Sequence, residues 1–167
     1  MTHPQRGAAL ITALLLLVVL TILGVSVMQM SRVQEKMAGN TRDINVGFET
    51  AEGALRNAEA LIRVQPGPQN ACPDNSCPND LGDIANQTAA WWADKGQAFK
   101  DGSGGQMTGV ADNPRYVIEV IAVLEDLPDG GGNPEVSYRT FYRVTARSTG
   151  ASGLSNSIVQ STFARKD

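Results

Sequence analysis

From Ala8 to Met28 the chain reads AALITALLLLVVLTILGVSVM, 21 residues without a charge. At 1.5 Å per residue such a run makes a helix of about 31 Å, the thickness of a bilayer's hydrocarbon core. Thirteen of its residues are Leu, Ile or Val. At roughly −0.3 to −0.6 kcal/mol each near the membrane centre, they favour insertion by on the order of −4 to −8 kcal/mol. Thr12, Thr21 and Ser26 can return their hydroxyls to a carbonyl one turn back, which reduces their cost. A secretory signal peptide would have a shorter apolar core followed by a small-residue cleavage site. The run instead reads as a membrane-spanning helix retained by the mature protein.

The helical period continues past the run. Met30, Val33, Met37, Thr41, Ile44, Phe48, Ala51, Leu55, Ala58 and Ile62 follow one another at steps of three and four. They form one apolar stripe, with Arg32, Glu35, Arg42, Glu49, Glu52, Arg56 and Glu59 mostly elsewhere. Pro66 and Gly67 end the pattern, so a helix from Ala8 to Arg63, about 84 Å long, is expected. Its e and g positions lack the regular charges of a coiled coil. Gly24, Gly39, Gly47 and Gly53 are its weak points, each costing up to about 1 kcal/mol relative to Ala.

The last third changes period. YVIEVIAVLEDL (116–127) carries β-branched residues on both faces, as in a well-buried strand. SYRTFYRVTARST (137–149) alternates, with Tyr138, Thr140, Tyr142, Val144 and Ala146 on one face and Arg139, Phe141, Arg143, Thr145 and Arg147 on the other. SNSIVQSTFAR (155–165) is a third, weaker strand. Short glycine-rich links make an antiparallel meander the natural topology. One face is expected to pack on the amphipathic half of the long helix, leaving the arginine face to solvent or a partner. Between helix and sheet, residues 64–83 hold half of the prolines, four of eight, and read as a connector. Residues 84–99, IANQTAAWWADKGQAF, read as a short helix with one tryptophan buried, and 101–114 as a glycine-rich loop. The adjacent tryptophans suit packing better than an aromatic platform. The fold class is α+β.

Composition narrows the chemistry. Side-chain charge beyond Arg6 is 13 − 17 = −4, which argues against nucleic acid. The single histidine is His3, ahead of the apolar run, so a chain cut before that run has no imidazole for a Ser-His or Cys-His pair or a zinc site. No catalytic constellation, cofactor or metal set stands out, and no enzyme is expected. Cys72 and Cys77 lie in a polar loop, flanked by Pro73 and Pro78, and suggest a disulfide in an oxidising compartment. Their C-x4-C closure spans six residues and is worth about 2 kcal/mol by chain entropy, enough to shape a loop. Asp126, Asp129, Asn133 and Glu135 offer hard oxygens for calcium, but without a recognisable loop spacing an ordinary solvated turn is favoured. Charges flanking the helix leave its orientation open: His3 and Arg6 precede it, while Arg32, Lys36 and Arg42 follow.

A short basic leader ending at Gly7, a charge-free helix, its amphipathic extension and a closing antiparallel sheet together resemble a type IV pilin. QRGAALITALLLLVVLTILG near the start, with YRVTARSTGASG and NSIVQS near the end, resembles the PilX-type minor pilins. The resemblance covers roughly the first 60 residues and the last 35. It implies a leader at 1–7, a transmembrane and fibre-core helix at 8–30, an amphipathic extension at 31–63, and a periplasmic loop region and sheet domain at 64–167. A prepilin peptidase would cut between Gly7 and Ala8, and the new amino group of Ala8 would be methylated. Implied partners are other minor pilins, the major pilin, a large tip adhesin, the prepilin peptidase and the inner-membrane assembly machinery. The protein would wait in the inner membrane before entering a fibre that supports twitching and adhesion.

One departure from that family stands out. Most pilins carry a glutamate where this chain has Thr12, and the glutamate pairs with the amino group of the subunit ahead. Thr12 suggests a subunit with nothing ahead of it, at or near the tip and early in assembly; the plainer alternative is that a low-copy subunit dispenses with the glutamate. The cysteines depart too, since pilins usually bracket a loop near the C-terminus. A minor pseudopilin of a type II secretion system, or a single-pass membrane protein with a periplasmic interaction domain, would share the N-terminal features.

Overall fold

A computed structural model of the chain describes residues 6–64, 82–126 and 137–166. The first helix, α1, runs without interruption over Arg6–Val64. Leu is the commonest residue of its first half, no proline interrupts it, and the apolar stripe from Met30 to Ile62 carries the same helical period onward. The chain divides into two compact units, Met1–Arg42 and Asp43–Asp167. In the first, every described side chain from Ala9 to Arg42 is exposed.

The second unit holds a four-stranded antiparallel sheet of order β1-β2-β3-β4. The strands are Gln97–Ala98 (β1), Arg115–Asp126 (β2), Ser137–Ser148 (β3) and Ser157–Lys166 (β4). β2, β3 and β4 form the expected meander, within two residues of the sequence boundaries. The two-residue β1 was not anticipated, being too short for any alternation to register. Val120 faces Tyr142 and Ala122 faces Phe141, which leaves Ile121 as the extra residue of a β-bulge.

The last turns of α1 lie on one face of this sheet. Ala54, Leu55, Ala58 and Ile62 form a single core with Tyr116, Ile118, Val120, Tyr142, Val144 and Ala146. Small residues at 54 and 58 let the helix approach two tyrosines that are themselves almost fully buried. Polar contacts tie the same surfaces. Ser161 Oγ donates to Glu59 Oε1 at 2.7 Å, and the Thr50 and Ser148 hydroxyls lie 2.8 Å apart. At the helix end, Arg165 Nη1 donates to the Ile62 carbonyl at 2.7 Å and the Arg63 guanidinium sits 5.1 Å from the Phe163 ring centre. A cation on a terminal carbonyl satisfies one of the acceptors a helix leaves open and complements its dipole.

The opposite, arginine-bearing face is not left wholly to solvent. A 3-10 turn at Ile84–Asn86 and helix α2, Ala89–Lys95, lie over it. Ile84 and Trp92 bury Val117 there, with Trp91 packed edge-on to Trp92 at 5.5 Å between ring centres. Thr88 caps α2 by accepting from the Trp91 amide at 3.2 Å. Gly96 ends it, where a Cβ would stand 2.7 Å from the Trp92 carbonyl. Glu119 is also buried on this face, with Arg143 Nη1 3.8 Å from its Oε2. The expected short helix with one buried tryptophan is therefore present, and Trp92 is the buried one.

Candidate assembly surface

The residues singled out in the sequence fall on two parts of the molecule. Gly7 and Ala8 belong to the first turn of α1, and Thr12 to the next. Thr12 Oγ1 donates to the Ala9 carbonyl at 3.0 Å, Thr21 Oγ1 to Val18 at 2.8 Å, and Ser26 Oγ to Ile22 at 2.9 Å. Each hydroxyl bonds its own helix, so this side-chain polarity is partly sequestered before the helix meets any partner. Among the described residues one helix is long and apolar enough to cross a membrane, and it is α1.

The apolar stripe splits into two regimes. Ala51, Ala54, Leu55, Ala58 and Ile62 are buried under the sheet, whereas Met30, Val33, Met37, Ile44 and Phe48 are at least half exposed. The same period thus serves two packing jobs, one inside the second unit and one that the described residues do not complete.

A polar clasp sits where the second unit begins. Asp43 Oδ1 accepts from the Ser152 amide at 2.7 Å and its Oδ2 from the Ser152 hydroxyl at 2.8 Å. These bonds, and others to Ser155 and the Ala151 amide, hold the Asp43 carboxyl below its ordinary value of 3.8, despite a small opposing effect of desolvation. Gly150 makes the approach possible. Its φ is +66°, and an added Cβ would stand 2.7 Å from the Asp43 carbonyl. The clasp joins α1 to the β3–β4 turn across 109 positions of sequence. No local motif announces such a pairing, and Asp43 reads in sequence as one more charge on a helix.

A cleft between α2 and that same turn was also missed. It measures about 240 Å³ and has Arg115 and Arg147 in its wall. Cys72 and Cys77 lie outside the described residues, as do Asp129, Asn133 and Glu135 of the calcium candidate. Asp126 ends β2, and no group of three or more His, Cys, Asp or Glu able to hold a metal occurs among the described residues.

A long helix with an apolar, exposed first part, packed by its last turns on a C-terminal antiparallel sheet, is the α+β architecture of a pilin-like protein. The family described as PilX N-terminal matches residues 6–56, and that described as type IV pilus assembly protein PilX C-term matches residues 50–165. The chain belongs to the PilX family of type IV pilus assembly proteins. Searches of curated proteins and of solved structures gave no match.

Proposed function

We propose that this protein is a minor pilin that helps to start type IV pilus assembly at or near the fibre tip, and so supports twitching motility and adhesion. The observation that carries the reading is the state of α1: from Ala9 to Arg42 no described side chain is buried, and the apolar run lies within that stretch. An apolar surface of this size needs a non-aqueous partner. A bilayer supplies one before assembly, and the helices of other pilus subunits supply one afterwards. The α1–sheet core needs neither, so the second unit can remain in the periplasm while the helix changes its surroundings.

In this reading prepilin peptidase cuts between Gly7 and Ala8, and the amino group of Ala8 is then methylated. Residues 8–30 are the membrane and fibre-core segment, 31–63 its amphipathic extension and 64–167 the periplasmic part. Cys72 and Cys77 close a short disulfide loop. Partners are the major pilin, other minor pilins, a large tip adhesin and the inner-membrane assembly machinery. Family membership favours the pilus over a type II secretion system.

The experiment is deletion of the gene, with surface pili, twitching and protein secretion scored together. Loss of pili and twitching with normal secretion is expected, and a secretion defect with normal pili would reject the reading. Mass spectrometry of the membrane form is expected to find methylated Ala8 as the first residue. Intact Met1 in a strain with active peptidase would exclude the processing step. Thiol counting on the exported protein is expected to find none free, and two free thiols would reject the disulfide.

A further inference from the structure

The cleft beside α2 is built around two like charges. Arg115 and Arg147 are register partners on β2 and β3, so they share a sheet face directly across from one another. Like charges in that position repel, yet both side chains are held in place. Arg115 Nη1 donates to the carbonyls of Ala93 at 3.2 Å and Gly96 at 3.0 Å, which anchors it on the C-terminal end of α2. Arg147 Nε donates to Asn156 Oδ1 at 2.7 Å. Each anchor uses one edge of its guanidinium and leaves the remaining N–H groups for another acceptor.

Within the second unit, little negative charge meets this pair. Asp112 lines the same cleft and acts on Arg147 through space. Among the described residues, however, no carboxylate lies within ion-pair distance of either arginine. Burial lowers the Arg147 pKa, Asp112 opposes that shift, and the nearby Arg115 adds to it. One carboxylate against two fixed guanidiniums leaves a net positive cleft. The rest of the wall is uncharged: Ala89 and Ala93 on α2, Ala111, and Gly153 in the turn, with the polar Asn113, Ser148 and Thr149. A volume of about 240 Å³ admits a carboxylate with a few methylenes behind it.

We propose that this cleft receives an acidic side chain of a neighbouring pilus subunit, whose carboxylate bridges Arg115 and Arg147. The proposal rests on the assembly role above and names the chemistry of one contact within it. The cleft is open on one side, and Ala89 and Ala93 are exposed. That shape suits a side chain delivered by a docked protein, with the rest of the interface supplying what one carboxylate cannot. Pre-anchored guanidiniums reduce the ordering cost of the contact, and a carboxylate can accept from both.

The test uses the full chain in cells that make pili, with a photo-crosslinking residue at Ala89. The expected product joins it to another pilus subunit near an Asp or Glu. Arg147→Glu is expected to lower the yield roughly tenfold, the size of a lost charge-assisted contact. Changing the partner's acid to Arg in that strain is expected to restore it. Arg147→Lys, which keeps the charge but loses the planar fork, should give an intermediate yield and serves if the Glu variant does not accumulate. A yield unchanged in both variants, or a crosslink to a stretch without acids, overturns the proposal. So does the absence of any subunit crosslink in a normally piliated strain. Stabilisation of the detergent-solubilised chain by succinate, abolished in Arg147→Lys and unaccompanied by a subunit crosslink, would assign the cleft to a free carboxylate and also overturn it. Loss of pili on gene deletion, together with a crosslink yield unchanged in the Arg147 variants, would sink this contact alone. Normal pili on deletion would sink the assembly role itself.

Discussion

Gly150 has no room for a side chain. Its φ of +66° is a left-handed conformation that costs other residues about 1–2 kcal/mol, and a Cβ would press on the Asp43 carbonyl. Gly150→Ala should therefore destabilise the second unit by at least that amount, visible as a lower midpoint in thermal denaturation of the full chain in detergent. Gly39→Ala provides the contrast, because a Cβ there meets nothing within 4 Å. That change should be neutral or gain up to about 1 kcal/mol of helix propensity. The clasp also sets a pH response. The folded pKa of Asp43 lies below its ordinary 3.8, so the carboxylate's contribution is fully present above 3.8 and is lost as pH falls through the lower folded value. Protection of the Ser152 amide against hydrogen exchange should follow that course. Asp43→Asn should lower protection at neutral pH, with the gap to wild type closing under acid; a constant gap would show that the charge is not what holds the turn.

At the scale of elements, what was legible in the sequence was what repeats locally. The period of α1 and the alternation of β3 depend on neighbours a few residues away, so both are written into any short window. The covering layer was harder. Trp91 and Trp92 are alike in composition, and α2, which starts at the Thr88 cap, buries the second on Val117 and leaves the first packed at the edge of that cluster. Likewise the stripe on α1 has one period from Met30 to Ile62, but only its part from Ala51 onward is buried. Periodicity reports that a face wants cover and says nothing about which chain supplies it. The Asp43 clasp and the arginine cleft depend on register and turn geometry between distant segments, which no window contains. The covering layer gives its own prediction. Trp92→Ala empties a site buried to 0 % exposure and should cost about 3–5 kcal/mol. Since Val117 is covered by that layer and the α1–sheet core lies on the other face, protease cutting should begin within 84–95 while the sheet persists. Simultaneous digestion of both would mean that the two faces unfold as one.

For the whole molecule, the proposed assembly role turns on what α1 would meet on passing from a bilayer into a fibre, and Thr12 is where the answer can be measured. Its hydroxyl is turned back onto the Ala9 carbonyl, leaving an uncharged segment from Ala8 onward. A carboxylate introduced there would be costly in an apolar setting unless a cation met it. If the subunit sits at the tip with no amino terminus ahead of it, Thr12→Glu brings an unpaired charge. The cost is below the ~2.5–3.5 kcal/mol of a charge at the membrane centre, because Thr12 lies near the end of the run. Several-fold fewer pili per cell are then expected at equal protein level. If instead the subunit enters along the shaft, the new carboxylate finds the amino group of the subunit ahead, and incorporation should rise. Counting pili and quantifying this subunit in sheared fibres, for wild type and Thr12→Glu, separates the two outcomes. Fewer fibres with no gain of subunit per fibre is the result expected of a protein that begins the fibre, and a gain along the shaft would remove it from the tip.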